Sequence, residues 1–340
     1  MKRPSTKAQL RLSPCHQAGF TIVELLVALV LGVVIIGGVI SIFVSNQQAA
    51  RSNEGLARVQ ENARVAFELM AREVRQAGGN PCGATTTSNV LSNSLTAWWA
   101  NWDAGVLQGF GNTEPATGIV VTGTGSGQRV TGTPAIKVLS GGMFNSVTIT
   151  AHDPAVAKID LNIPNHGFDT GDIVVVCDAE SAALAQVSSV TTALAGSISH
   201  KDTAPLNSIE ELGFPPGSPK TVAAGGFVTK YTSNLWYVGN NSRGGRSLYR
   251  ANRVSTEEIA EGIVDMQIDY LLRNVSTGNL GNDWVSASAV GGWTNAAANL
   301  VVAVRFKLDL ESVTAVGTDQ APLRRQLFHV VNLRNRPYNP

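Results

Sequence analysis

Charge is scarce in this chain of 340 residues. Asp, Glu, Lys and Arg make up 15%, and 26 basic against 25 acidic residues leave a net charge of +1. So even a balance supplies no field for a polyanion, and no nucleic-acid partner is indicated. Cysteine is scarcer still, with Cys15, Cys82 and Cys177 too far apart for a CxxC metal or redox site. Catalytic signatures are missing as well: the chain has no GxSxG, no HExxH and no paired-carboxylate motif. His152, His166, His200 and His329 do not stand at metal-ligand spacings. The segment GTGSG at 123–127 lacks the Lys-Ser/Thr of a phosphate-binding loop. Asp169 and Asp172 in HGFDTGD read as turn formers, because a calcium ion takes about six to eight oxygens. No catalytic residue, metal or cofactor is expected, and the chain reads as a structural protein rather than an enzyme.

What the chain does have is one long apolar run. Phe20 to Val44 covers 25 residues with Glu24 as its only charge. As a helix it would be ~38 Å long, enough to span a bilayer. A cleaved secretory signal has a core of only about 7–15 residues and a small-x-small site behind it, which NQQAAR at 46–51 matches poorly. Cys15 follows Pro14 with no apolar stretch before it, so it is no lipidation site. Lys2, Arg3, Lys7 and Arg11 precede the run without an acid, and removing them changes the net charge from +1 to −3. The next basic residue is Arg51, which puts the N-terminus in the cytoplasm and the body outside. Glu24 is the anomaly, since an acid at a helix centre costs roughly 2.5–3.5 kcal/mol on insertion scales. A cut between Gly19 and Phe20 would create an α-ammonium with a reference pKa of ~7.7–8.0. That ammonium, its own or a neighbouring subunit's, would neutralise Glu24 and make the carboxylate a registry device.

Beyond Val44 the chain turns polar but keeps a helical period. Leu56, Val59, Ala63, Phe67, Met70, Val74 and Ala77 form one stripe. Glu54 with Arg58 and Glu68 with Arg72 are i,i+4 pairs with the acid first. Gly78, Gly79 and Pro81 supply the stop, so one helix is expected over 20–77. The remainder reads as β-rich. GIVDMQIDYLL and LVVAVRFKLDL alternate apolar and polar residues, the latter with Val302, Val304, Phe306, Leu308 and Leu310 inward. Weaker strand candidates are 118–122, 146–151, 172–177, 227–232, 234–238, 246–250 and 326–333, and 84–96 and 285–299 read as loops. The fold class is α+β, a long helix packed on an antiparallel sheet.

The N-terminal pattern of a basic leader, Gly19, Phe20, Thr21 and Glu24, and about twenty apolar residues resembles the class III signal of type IV pilins and type II secretion pseudopilins. That resemblance implies a type IV pilin-like fold. Residues 1–19 would be a cleaved leader, 20–44 the transmembrane half of the helix, 45–78 its amphipathic periplasmic half and 79–340 the globular head. It implies cleavage after Gly19 by a prepilin peptidase, methylation of Phe20 and a subunit-docking role for Glu24. LYRANRVSTEEIAEGIVDMQIDYLL, VVNLRNRP and GDIVVVCDA resemble PilW-type minor pilins. Such subunits join other minor pilins and the major pilin, prime the fibre from the inner membrane lipid and sit at its tip, often with a tip adhesin. The runner-up family is the GspJ-like minor pseudopilins, which share the EGIVDMQ-like segment but have a smaller head. A third reading, from another class, is a membrane-anchored ligand-binding head that never enters a fibre.

Loss of Cys15 with the leader would leave Cys82 and Cys177 as a candidate disulfide, the alternative being two separate thiols. Trp98, Trp99 and Trp102 in WWANW are a candidate partner patch, against packing in the core. Arg243, Arg246, Arg250 and Arg253 are a candidate basic edge, against a solvated face.

Overall fold

The computed structural model describes residues 19–142, 147–192, 195–315 and 321–335. Residues 1–18 of the expected leader, including Cys15, lie outside the described residues, as does Ser146 of one strand candidate. The chain divides into two compact units, Met1–Asn53 and Glu54–Pro340. The boundary between them falls inside the helix α1, Ile22–Gln76.

Among the described residues fifteen strands follow the helix. The first nine are β1 (Thr87–Asn89), β2 (Leu107–Phe110), β3 (Ala135–Gly141), β4 (Ile149–Asp153), β5 (Lys158–Leu161), β6 (Ile173–Cys177), β7 (Ala182–Gln186), β8 (Ser189–Thr191) and β9 (Ser197–Ser199). The other six are β10 (Phe227–Asn240), β11 (Arg246–Ala251), β12 (Thr256–Glu261), β13 (Ile263–Asn274), β14 (Asn299–Glu311) and β15 (Arg324–Asn332). The largest sheet runs β1-β7-β6-β10-β11-β12, with β3 and then β2 joined to β10. A second sheet is β13-β14-β15, and a third is β4-β5-β9-β8. Pairing is antiparallel except between β1 and β7. The two strongly alternating segments are β13 and β14, and they pair with each other. Their register slips between Leu271 and Leu272, where Val302 is the extra residue. A bulge of one residue reverses the alternation, so Val301 is buried and Val302 only half-buried.

Several expectations are corrected. Residues 118–122 are not a strand: 117–119 form a turn, and Thr122 makes only an isolated bridge with Arg129. The candidates 227–232 and 234–238 are one strand of 14 residues. The loop segment 84–96 holds the short strand β1. Among the described residues Glu68 and Arg72 form no ion pair; Glu61 with Arg64 does so at 3.4 Å, and Glu54 with Arg58 at 2.7 Å.

The second unit is organised around residues 54–76 of α1. Val59, Ala63, Ala66, Met70, Ala71, Val74 and Ala77 share one apolar core with Ile136, Trp236, Val238 and Leu248 of the large sheet and with Met266, Ile268, Phe306 and Leu308 of the second. Burying a side chain the size of Met70 or Val74 contributes about 1.5–3 kcal/mol, while the alanines let the backbone approach the strands. Phe67 and Leu56 sit at the rim, half-buried.

One residue in the stripe is charged. Glu73 is 8% exposed and accepts from Trp236 Nε1 at 2.6 Å and from Arg250 Nη1 at 3.1 Å. Arg250 is held in turn by Glu257 at 2.7 Å and lies 5.7 Å from the Trp236 ring centroid. Further up, Asn62 Nδ2 donates to the Glu261 carbonyl at 2.8 Å.

The helix ends at Gly78, whose φ of +69° favours glycine. A Cβ there would lie 2.8 Å from Val106 Cγ2. The last carbonyls of α1 are taken up by the segment after β15: Arg334 N–H donates to the Arg75 carbonyl at 3.1 Å, and Asn335 Nδ2 to those of Gln76 and Ala77 at 3.3 Å each.

Just past the helix exit, Cys82 is joined to Cys177 at the end of β6, closing a loop with a separation of 95 residues. In the chain-entropy model such a loop stabilises by about 4–5 kcal/mol.

His152 and His200 meet Nε2 to Nε2 at 3.1 Å in the interior, and His152 Nδ1 accepts from Val222 N–H at 3.0 Å. Burial and the neighbouring His152 ring push His200 down to about 4, and burial lowers His152 against the pull of Asp153. Both rings are therefore neutral when folded, and the unfolded chain binds more protons below the ordinary histidine pKa of about 6.5. Their contribution is complete above that pH and is lost as pH falls toward 4. Stability should drop by about 3 kcal/mol over that window from His200, measured by denaturant titration, with a shallower slope in His200→Gln. Glu73→Ala should cost about 2–4 kcal/mol in the same assay by leaving Arg250 and the Trp236 N–H short of a partner.

Candidate functional site

The residues expected to matter lie at the entry to α1. Gly19 and Phe20 precede the helix, Phe20 is 86% exposed, and nothing approaches the position of a Gly19 Cβ within 4 Å. Thr21 is the residue before the first helical position, Ile22. Its Oγ1 accepts from Glu24 N–H at 3.2 Å, while Glu24 Oε2 reaches back to Thr21 N–H and Thr21 Oγ1, each at 3.4 Å. This is a capping box in the T-x-x-E pattern, with two donors at the helix start satisfied reciprocally. The N-terminal end of the helix dipole also favours the carboxylate. Glu24 therefore has a local partner as well as any intermolecular one, and the Thr21–Glu24 spacing in the sequence carries the signal.

Past Glu24 the helix is apolar on every side. Each Ile, Leu, Val and Phe from Phe20 to Val44 is more than half exposed in the chain by itself. An all-round apolar helix belongs in a bilayer or among other helices. It is long and apolar enough to cross a membrane. Leu25, Ala28, Leu29, Gly32, Val33 and Ile36 line a shallow groove of about 300 Å³ along one face, opened by the missing side chain at Gly32.

The tryptophan cluster does not form an exposed patch. Trp102 is 7% exposed and packs against Tyr231 at 6.1 Å between centroids. Trp98 and Trp99 are half-buried, and the Trp99 carbonyl accepts from Tyr231 Oη at 2.6 Å. The arginine row is no free basic edge either. Arg243 pairs with Glu258 and Glu261, Arg250 with Glu73 and Glu257, Arg246 donates to the Val264 carbonyl, and Arg253 lies over Trp99. Asp172 accepts from Asp169 N–H at 2.9 Å within its turn and pairs with Lys230 at 2.8 Å. Sequence reasoning missed Glu73, because a stripe read by its apolar members passes over a charge at a buried position.

The capping box gives a measurable outcome. Thr21→Val in detergent micelles should speed amide exchange at Glu24 about fivefold, the equivalent of a lost cap of ~1 kcal/mol.

Comparison with known proteins bears on both ends of the chain. Residues 15–40 match the Prokaryotic N-terminal methylation motif, and residues 235–335 match PilW, the Type IV Pilus-assembly protein W. No curated protein and no solved structure matches the chain. The first match covers Gly19, Phe20, the capping box and most of the apolar run. The second runs from within β10 to the segment that caps the helix, and it holds Trp236, Arg250, Glu257 and Asn335. The chain thus combines a prepilin-type N-terminal methylation motif, a helix long and apolar enough to cross a membrane, and a segment similar to the type IV pilus-assembly protein PilW.

Proposed function

We propose that this chain is a minor subunit that helps prime the type IV pilus and sits at or near its tip. The observation that carries the reading is the occurrence of the methylation motif at 15–40 and the PilW match at 235–335 in one polypeptide.

The geometry supports a sequence of steps. A prepilin peptidase would meet the Gly19–Phe20 bond ahead of the helix, where neither residue is packed. Cleavage there leaves Thr21 and Glu24 in place, so the capping box survives processing. The new ammonium on Phe20, methylated or not, stands next to Glu24 and opposes the helix dipole. Glu24 offsets that charge, and across a subunit boundary it meets the ammonium of a neighbour. The anchor holds the subunit in the inner membrane with the head on the periplasmic side, and the Gly32 groove gives an adjoining apolar helix a place to lie. The head's surfaces then contact other minor pilins, the major pilin and any tip adhesin. No step calls for catalysis by this chain.

Two variants test the reading separately. Gly19→Val should leave the full-length precursor in membranes, checked by mass spectrometry of the N-terminal peptide; normal processing would refute the cut. Glu24→Ala should be processed normally but fall at least several-fold in sheared fibres, measured by quantitative immunoblot. Undiminished incorporation would remove the docking role, and loss of a secreted enzyme without loss of pili would move the chain to a secretion fibre.

A further inference from the structure

The central strand β10 lacks a neighbour on one short stretch of one edge. Over Leu235–Tyr237 it pairs with β3 and β11 at once, so those two strands lie on opposite edges. Toward β3, the Lys230 carbonyl accepts from Gly142 N–H at 3.3 Å, and Val228 N–H donates to the Val147 carbonyl at 3.4 Å. Alternate residues of a strand address opposite edges. Phe227 and Thr229, which β6 engages, therefore face the β11 side. Between the last β6 pair at Lys230 and the first β11 pair at Leu235, no strand lies alongside Tyr231–Asn234 on that edge among the described residues.

The gap opens into a cavity of about 330 Å³ walled by Gly171–Ile173 and by the Asn252–Ser255 turn. Ser233 and Asn234 line it, each 8% exposed, and among the described residues neither side chain has a hydrogen-bond partner. Their polar atoms are not sealed from solvent, so both open into the cavity. At the rim, Arg253 is held 5.5 Å from the Trp99 ring centroid and makes no ion pair among the described residues. The acid of the same cavity, Asp172, is already matched by Lys230.

We propose that this gap binds an extended peptide segment of a partner protein, its main chain pairing with the free edge at Ser233 and an acidic side chain meeting Arg253. A peptide main chain supplies the alternating donors and acceptors that an open strand edge lacks. The Asn234 amide reads an amide in both directions, and the unmatched guanidinium selects a carboxylate. Trp99 then supports the cation rather than serving as a contact itself. The proposal is independent of the pilin reading, since it rests only on the head.

The test is fluorescence anisotropy with the full chain in detergent micelles at low salt. The probes are labelled, end-blocked pentapeptides with a central Asp between Val, Thr or Tyr residues. Saturable binding is expected, weakened about tenfold when Asn replaces the Asp and by a similar factor in Arg253→Ala. Arg253 is exposed, so that variant should keep the wild-type thermal unfolding curve. Asn234→Ala, checked the same way, should weaken Asp and Asn peptides alike. Absence of saturable binding to the unaltered chain up to millimolar peptide would overturn the proposal. Affinity unchanged in both variants, or displacement of the peptide by a neutral oligosaccharide, would do the same.

Discussion

The second unit depends on a carboxylate that cannot be buried alone. Glu73 lies in the apolar stripe of α1, and its charge is tolerable there only where the Trp236 N–H and the Arg250 guanidinium are waiting. The alanines around it, Ala63, Ala66 and Ala71, would pack about as well one helical turn higher or lower. The ion pair would not. Apolar burial thus supplies most of the attraction between helix and sheets, while Glu73 sets the height and rotation at which they meet. Its partners are on adjacent strands, β10 and β11, and Glu257 on β12 completes the charge balance. One contact therefore refers the helix to three strands at once.

Much of this was legible in the sequence where periodicity was strong. The helical stripe and the β13–β14 pair could be read directly, since each buries one face and exposes the other. Strands buried on both faces could be read only where β-branched residues run together, as in Ile173–Cys177. Every residue of β3 is buried, and AIKVLSG shows no alternation and includes a lysine. The small residues of β7 and the acidic TEEIAE of β12 do not have the composition of strands either, yet both are held by their neighbours. At the N-terminus the case is reversed. Thr21 and Glu24 stand at capping-box spacing, but the cost of a membrane acid draws attention to distant partners before the one three residues away.

The match to the PilW family covers the part of the head that grips the helix. Within 235–335 lie the Trp236 and Arg250 partners of Glu73, the second sheet that covers the stripe, and the Asn335 side chain at the helix end. Residues 79–234 lie outside that match and contain the disulfide, the four-stranded sheet and most of the wall around the open edge of β10. Gripping the spine and presenting particular surfaces are thus largely assigned to different stretches of the chain.

The cap on the helix C-terminus has a consequence in time. The carbonyls of Arg75, Gln76 and Ala77 accept from Arg334 and Asn335, which are made long after the helix itself. The apolar run emerges first and can engage the membrane while most of the head has yet to be made. Until β15 and the segment after it arrive, the Arg75 and Ala77 carbonyls lack these donors, Gln76 having a local one in Gly79 N–H at 2.8 Å, and the apolar stripe lacks part of its cover. A chain cut before Arg334 would keep every described strand and still have an unfinished helix end. Completion of the spine therefore waits on the strands that lie between it and its cap.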